Sequence, residues 1–117
     1  MQLSFSLSQT TYVYTQANVK ELYPFAIFNE PEAPTAIVSM EKASSAGLSF
    51  TFPCRYLRLK EKTSLASVGI TAEVAKVLAE QAIPCNVVAA FNYDYFFVSA
   101  DQAERALGLL NDAFAIT

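Results

Sequence analysis

Groups able to do chemistry are sparse in this sequence and placed in unexpected company. The stretch "IPCNVVAAFNYDYFFVS" (83–99) is apolar almost throughout, yet it keeps Asn86, Asn92 and Asp94. The bend "LASVGIT" (65–71) carries Gly69 between Val68 and Ile70. Glycine lets the backbone approach a ligand closely and reach angles closed to other residues. If a helix begins just after it, the free N–H groups of the first turn favour a carboxylate. That is binding chemistry rather than catalysis. The plainer role for Gly69 is to shape the turn. Asn86 either hydrogen-bonds a ligand or locks two adjacent loops together. Asn92 and Asp94 suit a tight turn, with Asn92 tolerating positive φ and Asp94 accepting backbone N–H groups.

The remaining reactive groups point away from an enzyme. Cys54 and Cys85 are the only cysteines and the chain has no histidine. A thiol nucleophile of the usual kind therefore has no base, and no zinc-ligand spacing exists. Both cysteines are expected as buried, reduced thiols. Glu30 and Glu32 sit in a Pro-containing turn with nothing to separate their acidities. Arg55, Arg58, Lys60 and Lys62 interleave with Tyr56, as a nucleic-acid face does and as a solvated strand edge does. A net charge of −3 gives no general attraction to phosphate backbones. The expectation is a non-catalytic protein with no cofactor, no metal and no nucleic-acid partner.

Length and composition bound what must position these groups. At 117 residues the chain is one compact domain or two small halves sharing a core. Hydrophobic residues make up 53% and charged residues 16%, against about 25% in an average domain. So few charges leave apolar surface, which points to self-association or a partner-facing patch. No segment reaches the ~18 consecutive, predominantly apolar residues of a membrane span, and the start lacks a signal peptide's basic residues. A cytoplasmic location is expected.

The second half reads as strand, helix, strand, strand, helix. "CRYLRLK" (54–60) alternates, with Leu57 and Leu59 opposite Tyr56 and Arg58. Thr71 is placed to cap a helix over 72–82, with Val74, Ala75, Leu78 and Ala82 on its apolar stripe. Pro84 ends it. "CNVVAAF" and "DYFFV" form a hairpin about Asn92 and Tyr93. Ser99 and Gln102 have capping-box spacing, and a helix follows from about 100 to 113 with Ala103, Ala106, Leu107, Leu110 and Phe114 inward. "AFAIT" is a candidate closing strand. The layout is α+β: an antiparallel sheet with helices on one face, the ferredoxin-like βαββαβ order.

The first half repeats part of this pattern. "AIFN" (26–29) echoes "AAFN" (89–92), and "IVSMEKASSAGL" (37–48) echoes "FVSADQAERALGL" (97–109). "TYVYTQ" (11–16) is the counterpart of "CRYLRLK". Between the matching strands the first copy is short by about one helix, with "ANVKELYP" in its place. The expected units are 1–50, degenerate, and 51–117, complete.

The segment "SLASVGITAEVAKVLAEQAIPCNVVAAFNYDYFFV" resembles the ACT-domain superfamily, most of all a bacterial group of small tandem ACT-like proteins of uncharacterised function. The shared features are Ser64-Leu65, Val68-Gly69, Cys85 to Ala89, Asp94 and Phe97-Val98. The likeness spans roughly residues 10 to 112. Many members of that group carry histidine on either side of the turn aspartate, where this chain has Tyr93 and Tyr95. An activity that needed those histidines would be missing here. The resemblance implies four-stranded antiparallel sheets with two helices per unit. It also implies small ligands, commonly amino acids, bound between units, so a homo-oligomer with a small-molecule partner is expected. Its ligand loop maps onto Val68, Gly69 and Ile70, with Asn86 and Val87 on the adjoining strand.

Overall fold

A computed structural model describes residues 3–115. Contacts within it divide the chain into two units, residues 10–54 and the residues up to Gln9 together with those from Arg55 onward. The boundary falls inside one strand.

In the 10–54 unit, β2 (Tyr12–Gln16) pairs antiparallel with β4 (Thr35–Ser39), and β4 pairs with β3 (Ala26–Phe28). The first residues of β5 (Thr51–Leu59) lie on the other side of β2, at Thr51 and Cys54. The short helix α1 (Met40–Ser45) begins where the echo with residues 97–109 placed it. Ser39 caps it, its hydroxyl accepting from Lys42 N–H at 3.2 Å. A single 3-10 turn, Lys20–Leu22, stands where the missing helix would be. The unit is thus βαββαβ with its first helix reduced to one turn. One buried cluster in it is small: Val13, Val38 and Ala43, flanked by Leu22, Met40 and Leu48; Val19, Ala36, Ile37 and Cys54 are buried as well.

The other unit repeats this order. The rest of β5 leads to α2 (Ile70–Glu80), β6 (Asn86–Ala89), β7 (Asp94–Ser99) and α3 (Ala103–Ala113). β6 and β7 pair antiparallel, and β7 neighbours β5. The fourth strand position, beside β5, is taken by β1 (Phe5–Leu7), with Phe5 opposite Leu59 and Leu7 opposite Leu57. β1 carries no sequence signal beyond "FSL", and the expected closing strand is not formed at Phe114 and Ala115. Ile116 and Thr117, the rest of that expected strand, lie outside the described residues. The alternation in β5 is as read: Leu57 and Leu59 are buried with Phe96, Val98, Val74, Leu78 and Leu110 under the two helices.

Three local expectations are corrected. Thr71 does not cap α2; the cap position is Gly69, so the helix starts two residues earlier than the stripe suggested and Thr71 lies inside it. Ser99 caps no backbone N–H; its single hydroxyl proton goes to Asp101 Oδ1 at 2.7 Å, with Gln102 Oε1 at 3.2 Å as the alternative acceptor. The chain there enters a 3-10 turn before α3. Asn92 does not supply positive φ; among the described residues those angles, outside glycine, fall on Tyr23, Phe52 and Ala82.

The two thiols remain free, Cys54 buried and Cys85 partly so. Burial pushes Cys54 up to about 12 and Cys85 up to about 11. Cys54 Sγ also donates to Tyr12 O at 3.4 Å. With so little thiolate, Cys54 should react with an aromatic disulfide at roughly pH 8 more than about a hundredfold slower in the native protein than in denaturant. Comparable rates in the two conditions would place it on the surface.

Candidate functional site

The Gly69 bend is open. Val68 is 93% exposed, Gly69 has φ +93°, and a Cβ added to Gly69 would meet nothing within 4 Å. Ile70 opens α2 and is partly buried against the core. Because glycine offers no side chain, no side-chain hydrogen bond caps this end, and the first N–H taken by the helix is Glu73 to Gly69 O at 3.0 Å. The N–H groups at 70–72 therefore have no acceptor within the helix.

Asn86 and Val87 are exposed on β6. Neighbours along a strand point to opposite faces, so the two side chains do not share one. Register settles which is which: Val87 lies opposite Phe96, on the helix-covered face, and Asn86 lies opposite Phe97, on the other. Among the described residues no hydrogen bond, ion pair or ring contact links 68–70 to Asn86 or Val87.

Asp94 and Asn92 tie the loop that leads to the bend. Thr63 N–H donates to Asn92 O at 2.8 Å, and Thr63 Oγ1 donates to Asp94 Oδ2 at 3.4 Å. The hairpin itself is closed by Ala90 N–H to Tyr93 O at 3.0 Å, so the Asp94 carboxylate latches a neighbouring loop rather than its own turn. Asp94 is 8% exposed, which suits a structural latch. Two of the basic residues are held within the unit. Arg55 Nε donates to Ser8 O at 2.8 Å, and the Arg58 guanidinium lies 4.1 Å from the centre of the Tyr93 ring.

Sequence reasoning missed two clefts in the 10–54 unit. One, of about 620 Å³, is lined by Tyr14, Thr15, Gln16, Phe28, Glu30, Thr35 and Thr51. Its floor follows from register: Phe28, Thr35 and Gln16 form one cross-strand row, and Ile37, Tyr14 and Thr51 the next. A bulge in β5 sets its side, where Phe52 at φ +57° turns its ring edge-on to Tyr14, 5.9 Å between centroids. The other cleft, of about 340 Å³, is lined by Thr10, Tyr12, Tyr23, Phe25, Ser39, Glu41 and Lys42. Two of its polar groups are engaged: Lys42 Nζ donates to Leu22 O at 3.0 Å and Ser39 caps α1. The sequence-derived residues Val68, Gly69, Ile70, Asn86 and Val87 line neither cleft.

Among the described residues, no helix is long and apolar enough to cross a membrane, and no group of three His, Cys, Asp or Glu is gathered as a metal site would need.

Comparison with known proteins agrees with the fold. ACT-domain family models match residues 1–55 and residues 51–112. A solved Vibrio cholerae protein of unknown function, described as a possible transport protein, superposes with a TM-score of 0.86 at 36% identity, covering 93% of this chain and 88% of that one. An Agrobacterium tumefaciens protein gives a TM-score of 0.79 at 15% identity, covering 98% and 91%. The ligand-free regulatory subunit of aspartate kinase from Thermus thermophilus gives 0.69 at 12% identity, covering 96% and 97%. At those identities the last two share the fold alone. A search of curated proteins found no match.

Proposed function

The chain belongs to the ACT-domain family, and from that premise we propose that it is a non-catalytic regulatory protein that binds a small metabolite, in the first instance an amino acid, at the Gly69 bend. The observation that carries this reading is the exposed, uncapped start of α2 behind a positive-φ glycine. A ligand carboxylate placed there accepts the N–H groups of Ile70, Thr71 and Ala72 and meets the favourable end of an eleven-residue helix. Val68 supplies apolar contact; on the neighbouring strand Val87 is the side chain on the helix-covered face, and Asn86, on the opposite face, takes part through its backbone. Glu73, in the first turn, is a fixed negative charge that favours a ligand carrying an ammonium as well as a carboxylate. We read residues 1–50 as carrying a degenerate copy of the unit 51–117, which takes β1 from the N-terminal segment as its fourth strand, and the working form as a cytoplasmic homo-oligomer. Ligand binding then acts by favouring one arrangement of units over another.

Thermal denaturation against the proteinogenic amino acids tests this. A ligand with Kd about 0.1 mM, supplied at about 1 mM, adds about 1.4 kcal/mol. In a chain of this size that raises Tm by about 5 °C. Gly69→Arg should remove the shift. At φ +93° the new side chain also lowers the starting Tm, so Val87→Ala, on the helix-covered face, serves as the unstrained companion and should reduce the shift. If no amino acid moves Tm, the reading is wrong.

A second reading, a docking module without ligand, is favoured by the exposed Leu65 (68%) and Phe91 (82%), on loops that the Thr63–Asn92 bond draws together. It expects Gly69→Arg to leave self-association in sedimentation unchanged and no amino acid to matter.

A further inference from the structure

We propose that the 620 Å³ cleft of the 10–54 unit is a second binding site, for a small organic cation: a primary ammonium on an aromatic or aliphatic body, held by Glu30. The proposal does not depend on the Gly69 bend or its ligand.

Charge decides the class of ligand. Of the seven residues lining the cleft, Glu30 is the one with a formal charge, so the net field inside is negative. A free carboxylate or phosphate finds no cation there. The chain's net charge of −3 deepens that bias.

Geometry decides the ligand's shape. The Glu30 carboxylate accepts a hydrogen bond from Thr35 Oγ1, which fixes the carboxylate beside the Phe28–Thr35–Gln16 row. A carboxylate has about four acceptor sites, so room remains for ammonium donors. Tyr14 and Phe28 supply aromatic walls, against which the methylenes or ring of the ligand pack and to whose faces an ammonium is attracted. The Thr51 hydroxyl and the Gln16 amide add neutral polar groups at the periphery. A volume of about 620 Å³ lies within the usual range for small-molecule sites. The smaller cleft lacks this logic, because it holds both charge signs and its lysine already bonds the Leu22 carbonyl.

The probe is 2-phenylethylamine, compared with 2-phenylethanol and 3-phenylpropionate, titrated into the full-length protein to about 10 mM while backbone amide NMR shifts are followed. The amine should perturb Tyr14, Gln16 and Thr35 saturably, the alcohol should bind at least about tenfold more weakly, and the carboxylate should not bind. Glu30→Gln keeps the shape and the acceptor for Thr35 but removes the charge, and should weaken the amine about tenfold or more. Tyr14→Ala should weaken amine and alcohol together. Gly69→Arg should leave amine binding unchanged, which separates failure of this site from failure of the amino-acid reading. No saturable amine binding, equal affinity for amine and alcohol, or unchanged affinity in Glu30→Gln would overturn the proposal.

Discussion

Replacing Phe96 with alanine should remove about 3–5 kcal/mol of folding stability and lower Tm by about 15 °C. Phe96 lies on β7 with its side chain fully buried, in the same cluster as Leu57, Leu59, Val74, Leu78 and Leu110. It is held between sheet and helices, so truncation leaves a cavity that neither layer can close without breaking strand register or helix packing. For a domain of typical stability, about 5–15 kcal/mol in total, that is a large share. Urea unfolding provides the measurement: the midpoint should fall while the slope stays constant, since the surface exposed on unfolding barely changes. A loss below about 1 kcal/mol would mean that the ring is not enclosed as described.

That cluster was legible in the sequence because its signals are periodic. The Leu57/Leu59 alternation and the spacing of Ala103, Ala106 and Leu110 each name a face without reference to the rest of the chain, and those faces are the buried ones. The echo between residues 37–48 and 97–109 likewise located α1 and its Ser39 cap. What escaped depends on partners distant in sequence. β1 is three residues long and becomes a strand because Leu57–Leu59 presents it with an open edge. The cap of α2 moved to Gly69 because an αL residue can precede a helix without a side-chain bond, a state that glycine signals only as flexibility. Positive φ at Phe52 is dictated by the register shift between Tyr12 and Tyr14 on the opposite strand, and no rule for aromatic residues anticipates it.

The candidate sites divide along the same line. Gly69 was found because its chemistry is local: a glycine, a bend, a helix start. The cleft at Glu30 was invisible because its floor is a cross-strand product. Gln16, Phe28 and Thr35 are scattered in the sequence and meet only through the registers of β2, β3 and β4. In the sequence Glu30 and Glu32 look alike, two carboxylates in one turn. The structure separates them: Glu30 bonds Thr35 and lines the cleft, while Glu32 is not among its lining residues.

Val13→Asp should unfold the 10–54 unit while the other unit keeps its structure. Val13 is fully buried, and among the described residues its cluster holds Val38 and Ala43 as buried partners. A carboxylate there has no cation or donor among those partners, and an unpaired buried charge costs about 3–5 kcal/mol or more. So small a cluster offers little to offset it, and the Phe96 cluster contains no residue from 10–54. Clusters that share no residue can open separately. Hydrogen exchange read by mass spectrometry should show protection lost in peptides from 10–54 and retained in α2, β7 and α3. The functional consequence follows from position. Gln16, Thr35 and Phe28 hold their row only while β2, β3 and β4 stay paired, so amine binding should vanish in Val13→Asp. The Gly69 bend, built by β5, α2 and the Thr63–Asn92 tie, should still answer to its own ligand. Unchanged protection across 10–54 would show that the small core does not hold this unit together, and loss of protection throughout the chain would show that the two cores unfold as one.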